Sequence, residues 1–143
     1  MQPLSTVSVT RPWHWGIAII SDPSLGGDIP EVEPDTRVSA NRNGIIVLVR
    51  HAQDQDHDDT PDDLEWAQAT VTVRQHSEAP AVDSDKTTLF EGEIATPTSR
   101  LWIGDADEDI EMSGLSETSA IRVLANADDV DSPDHVWVDV WVA

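Results

Sequence analysis

The sequence predicts an all-β protein, an antiparallel β-sandwich of seven to eight short strands folded as one domain over residues 1–143. Three features carry that expectation. Several segments alternate apolar and polar residues with period two, the mark of a strand half-buried in a sheet. Stretches rich in Gly, Pro and Asp separate them, and these residues favour turns. No amphipathic stretch of helical length stands between them, residues 64–69 amounting to one turn at most.

In chain order, LSTVSVT (4–10) alternates weakly and reads as a first strand, broken by Arg11-Pro12. HWGIAII (14–20) is an apolar run of strand length. Residues 21–35 hold three prolines and the pair Gly26-Gly27, which makes them a loop. Within 37–50, the turn signal Arg42-Asn43-Gly44 precedes IIVLV (45–49), β-branched and unbroken, the pattern of a strand buried on both faces. After a polar, acidic loop, WAQATVTVR (66–74) alternates, with Ala67, Ala69, Val71 and Val73 on one face. Residues 75–87 form a second loop, and short strands follow at 89–94 and at 100–104. The acidic run DADEDIE (105–111) reads as a hairpin tip. SAIRVLA (119–125) aligns Ile121, Val123 and Ala125. HVWVDVWVA (135–143) is the clearest alternation, with Val136, Val138, Val140 and Val142 on one face and Trp137, Asp139 and Trp141 on the other.

Charge limits what the surface can bind. Against 28 Asp and Glu stand eight Lys and Arg, a net charge of −20. Such a field repels nucleic acid and anionic membranes and attracts basic proteins or cations. Asp outnumbers Glu, and Lys86 is the single lysine, a bias that adaptation to high salt would also produce. Cysteine is absent, which excludes disulfides, thiolate metal sites and thiol nucleophiles. No stretch approaches the length of a membrane span, and the N-terminal residues lack the features of a signal peptide, so the expected location is cytoplasmic.

The sharpest local pattern is residues 54–65. Asp54, Asp56, Asp58, Asp62 and Glu65 fall at positions 1, 3, 5, 9 and 12, the ligand spacing of an EF-hand calcium loop. Asp59 stands where that loop needs Gly, Pro61 falls at position 8, and the flanks read as strands rather than helices. Calcium is therefore an alternative to a solvated acidic loop; otherwise no cofactor and no metal is expected. Asp105, Asp107, Asp109 and Glu111 repeat the spacing in part. The five histidines, His14, His51, His57, His76 and His135, form no HxH or HExxH pair. GxSxG, GxGxxG and P-loop motifs are absent, no paired carboxylates stand out, and no catalytic residue is assigned. Trp13, Trp15, Trp137 and Trp141 lie near the chain ends and would cluster if the terminal strands paired; the alternative is packing in the core or at a sheet edge.

In layout the chain resembles bacterial nuclease inhibitors of the competence protein J type. The shared features are a core strand entered from a polar turn (RNGIIVLVRHA), an apolar run, acidic turn and strand (TSRLWIGDADEDIEMSGLSETSAIRVLANA), and a Val-rich closing strand (HVWVDVWVA). The resemblance spans about the last two thirds of the chain and implies a non-enzymatic β protein that binds and blocks a nuclease. Joined to the charge, it implies an acidic inhibitor or immunity protein whose partner is a basic protein, a nuclease or toxin. The residues expected to meet that partner are Asp54, Asp56, Asp58, Asp59, Asp62 and Asp63. A calcium-binding β module and an accessory domain with salt-adapted acidity are the alternatives.

Overall fold

A computed structural model describes residues 4–13, 16–25, 37–51, 68–82, 84–104, 109–128 and 133–142. Among these residues are ten strands and one 3₁₀ turn, Pro23–Leu25. The strands are β1 Ser5–Arg11, β2 Ile17–Ser21, β3 Val38–Asn41, β4 Gly44–Leu48, β5 Ala69–Gln75, β6 Lys86–Ala95, β7 Arg100–Gly104, β8 Asp109–Ser113, β9 Thr118–Asn126 and β10 His135–Val142. They form two five-stranded sheets, β1-β5-β10-β9-β6 (sheet A) and β3-β4-β2-β7-β8 (sheet B). The pairings are antiparallel except for β5 with β10, which run parallel. The expected all-β sandwich is present, with more strands than expected. β3 and β8 are the additions: short edge strands, the first just before the turn at 42–44 where no strand was expected, the second overlapping the end of the acidic run.

Alternation builds the core. On sheet A the row Val7, Val73, Val138, Val123 and Phe90 crosses all five strands in register. Those side chains meet Ala18, Ile20, Ile45, Val47, Leu101 and Ile103 of sheet B in one apolar cluster. β4 is buried over Gly44–Val47 on both faces, as its unbroken apolar run requires. β9 is also buried on both faces from Ser119 to Ala125, although only alternate residues face the core. The cause is the connection from β5 to β6, which must pass β10 and β9 and does so over the outer face. There Pro80 O accepts a 2.7 Å hydrogen bond from Arg122 Nη1.

Among the described residues the tryptophans of the two chain ends do not cluster. β1 and β10 each pair with β5 rather than with one another. Trp13 is therefore driven into the core, while Trp137 and Trp141 lie half-buried on the outer face of sheet A. Trp15 falls outside the described residues.

One end of the sandwich is fastened by Asp22, which is fully buried where β2 ends. Its carboxylate accepts bonds from Ser24 N (2.8 Å), Ser24 Oγ (2.7 Å), Thr98 N (2.9 Å) and Thr98 Oγ1 (2.8 Å). Burial pushes this carboxyl up, but the four donors outweigh it and hold it below its ordinary value of 3.8. Because the folded value is the lower one, the stabilisation is complete above pH 3.8 and is lost as pH falls through the folded value. Urea unfolding across pH should show this acid loss, and Asp22→Asn should remove it. An identical acid limb in the variant would show that Asp22 is not the group responsible.

Candidate functional site

At the opposite end, strand termini from both sheets are tied together by the backbone. Gly16 N donates to Trp13 O (3.0 Å), and Val49 N to Gly16 O (3.0 Å). Leu48 N donates to Arg37 O (2.9 Å), Arg50 N to Pro133 O (2.9 Å) and Thr70 N to Asp134 O (2.8 Å). Inside this lattice the buried Trp13 indole donates to Ala69 O at 2.9 Å. Gly16 adopts φ +67, and a Cβ there would stand 2.9 Å from His51 Cδ2, so both backbone and space require glycine.

Three acidic segments attach at this end; a fourth, residues 26–36 with four carboxylates, leaves from Leu25 beside Asp22 at the other end and returns at Arg37. Residues 52–67, with seven carboxylates and no Lys or Arg, leave after His51 and return at Gln68. Residues 105–108, with three, join β7 to β8; residues 129–132, with two, lead to Pro133. Arg50 and Thr70 bracket the first segment and bond to Pro133 and Asp134, which follow the last, so those two roots are adjacent. All eight Lys and Arg lie among the described residues. Thus the described framework carries every cation, five of them in strands, and the connecting segments at this end carry much of the negative charge.

The residues expected to contact a partner, Asp54, Asp56, Asp58, Asp59, Asp62 and Asp63, lie outside the described residues, as do Glu65 of the calcium spacing and His57. Of the second acidic run, Asp109 and Glu111 belong to β8, and Glu111 pairs with Arg100 across the hairpin at 3.3 Å. Among the described residues no group of three or more His, Asp or Glu is arranged to hold a metal ion. No helix among them is long and apolar enough to cross a membrane.

Beside the acidic roots, His135 stacks on Trp137 with ring centroids 3.7 Å apart and shares a 3.0 Å hydrogen bond with Thr72 Oγ1. Lys86 Nζ sits 4.4 Å from the other ring's centroid, over Trp137. Burial lowers the His135 pKa from 6.5; Asp134 opposes this, and Lys86 and Arg74 add to it.

A charged row, not expected from the sequence pattern, crosses the outer face of sheet A. Arg74, Asp139, Arg122 and Glu91 stand in register on adjacent strands. Asp139 is 1% exposed. It accepts from Arg74 Nε (2.8 Å), Arg74 Nη2 (3.1 Å) and His76 Nε2 (2.8 Å). Among the described residues the second ring nitrogen of His76, buried, has no hydrogen-bond partner, and no hydroxyl stands where a triad would place its nucleophile. Next to it Gln75, His76, Gly114, Ser116, Ser119 and Trp141 line a shallow cleft of about 20 Å³. That is smaller than the usual small-molecule site of roughly 300–1,000 Å³. One sequence cue existed: an Asp between two Trp on the polar face of a strand, which burial by those rings would force to find cations.

No family model matches the chain, and no curated protein matches it in sequence. Solved structures that share its fold include one described as crocagin biosynthetic gene J. It has a TM-score of 0.61 and 10% identity, over 96% of this chain and 97% of that one. Another is ComJ from Bacillus subtilis, an inhibitor of the DNA-degrading activity of NucA, with a TM-score of 0.61 and 8% identity over 99% and 98%. The likeness to the competence protein J type, expected from layout alone, is a likeness of the whole fold.

Proposed function

We propose that this protein is a non-enzymatic acidic inhibitor that binds a basic protein, such as a nuclease or toxin, through the end of the sandwich where the acidic segments attach. The observation that carries the reading is the partition of charge. Cation-free segments with seven, three and two carboxylates are rooted at one end of a hydrogen-bonded framework that holds every Lys and Arg. A nuclease site is built to hold phosphates, so a blocker must present closely spaced negative charge there. A rigid root lowers the ordering cost of doing so. The fold shared with ComJ, itself a nuclease inhibitor, supports the same reading.

The test is capture of partners from the native host, followed by Asp→Asn at Asp54, Asp56, Asp58, Asp59, Asp62 and Asp63 together. Affinity should fall by about two orders of magnitude, chiefly in association rate, and the wild-type complex should weaken steeply with salt. The melting temperature should not fall, since the change relieves repulsion. Unchanged affinity would show the segment to be solvated surface, and recovery of no basic partner would overturn the reading. Titration with calcium alone tests the EF-hand spacing separately.

A further inference from the structure

Four tryptophans lie among the described residues: Trp13, Trp102, Trp137 and Trp141. Three of them carry a cation of the same chain over the ring. Arg11 stands 3.9 Å from the Trp13 centroid, Lys86 4.4 Å from that of Trp137 and Arg122 5.1 Å from that of Trp141. The negative face of an indole attracts such cations. Trp102 differs. All eight Lys and Arg are among the described residues, and none of them stands over its ring.

Trp102 is also the most exposed of the four, at 38%. On β7 its neighbours Leu101 and Ile103 point into the core, so Trp102 faces outward from sheet B. Glu111 of β8 is its cross-strand partner. Directly opposed residues hold their Cβ atoms about 4.5–5.5 Å apart, so one planar group can meet both the ring and the carboxylate. Glu111 Oε1 accepts from Arg100 Nη1 at 3.3 Å in an exposed pair, which leaves the second oxygen for another donor. The next outward position along β7 is Gly104, which has no side chain, and beyond it begins the acidic segment 105–108.

We infer that Trp102 and Glu111 form an anchor on which the basic partner seats an arginine. The inference rests on the inhibitor reading and adds to it a defined contact on the outer face of sheet B, continuous with the acidic end. Chemistry sets the occupant. A ring beside a carboxylate, on a chain of net charge −20, selects a cation. Arginine suits it better than lysine, because a planar guanidinium stacks on an indole while its edge donates to a carboxylate, whereas an ammonium is a strongly hydrated point charge. The two parts of the interface then divide the work. The acidic segments speed encounter through their long-range field, and Trp102 slows dissociation, as a desolvated aromatic anchor does.

NMR of the full chain tests the anchor, with two peptides of about ten residues as probes in ~0.15 M NaCl. One alternates arginine with glycine, and the other alternates lysine with glycine. The Trp102 indole N–H signal, identified by its loss in Trp102→Leu, should move on adding the arginine peptide and move much less with the lysine peptide. Trp102→Leu should weaken the arginine peptide about three- to fivefold and leave the lysine peptide nearly unchanged. Glu111→Gln, which keeps the ring and the strand, should weaken the arginine peptide likewise. An indole signal that ignores both peptides, or answers both equally, would overturn the anchor. Binding lost on the six Asp→Asn changes but indifferent to Trp102→Leu and Glu111→Gln would also overturn it while sparing the role of the acidic end. Binding that depends on Trp102 and not on the six Asp would support the anchor and count against that end.

Discussion

Replacing Asp139 with Ala is expected to cost about 3 kcal/mol of folding stability, read from urea unfolding. The carboxylate is buried at the centre of sheet A and accepts three hydrogen bonds, two from Arg74 and one from His76. Arg74 keeps 23% exposure of its side chain and can turn to water. His76 cannot, since its side chain is 4% exposed and its other nitrogen has no partner among the described residues. The loss is therefore mainly that of orphaned buried donors, not the net worth of an ion pair. Replacing all three by apolar residues of similar size, Arg74→Met, His76→Phe and Asp139→Leu, should recover much of the loss. A single Asp139→Ala change costing under about 1 kcal/mol would mean that water reaches this row.

Trp13→Ala should be of similar size, about 3–5 kcal/mol, for a different reason. The indole is fully buried, donates to Ala69 O at 2.9 Å and carries the Arg11 guanidinium 3.9 Å above its ring. Truncation opens a cavity and leaves a carbonyl unpaired. Trp13→Phe keeps most of the volume and should lose only about 1–2 kcal/mol, the hydrogen bond and residual space. Ala69 opens β5 immediately after the 52–67 segment. Trp13→Ala should therefore also weaken any complex made through that end, while Trp13→Phe should largely spare it. Equal stability losses for the two variants would show that packing of the ring contributes little.

What was legible in the sequence is what depends on local pattern. IIVLV announced a strand covered on both faces, and HVWVDVWVA announced which valines face the core. β3 and β8 were not legible, because VSAN and DIEMS become strands only through their neighbours. Asp139 was read correctly as facing away from the valines, but its burial depends on Arg74, His76 and Trp141 and on Pro80 passing overhead with Arg122. All but Trp141 lie outside β10, so no window along the chain contains them. For the candidate site, the acidic segments were visible as composition. Their common root was not, since it follows from the direction in which each strand runs.

The place of β10 sets the order in which the protein can be made. The last strand of the described chain is the middle strand of sheet A, flanked by β5 and β9. Until it emerges from the ribosome, β1 and β5 can form only a ribbon on one side and β6 and β9 only a ribbon on the other. Isolated two-stranded ribbons are marginal in water. Val136, Val138 and Val140 supply the apolar row that joins them. Sheet A therefore cannot close until β10 has been made, and a ribosome stalled before His135 holds two unjoined ribbons with exposed apolar faces.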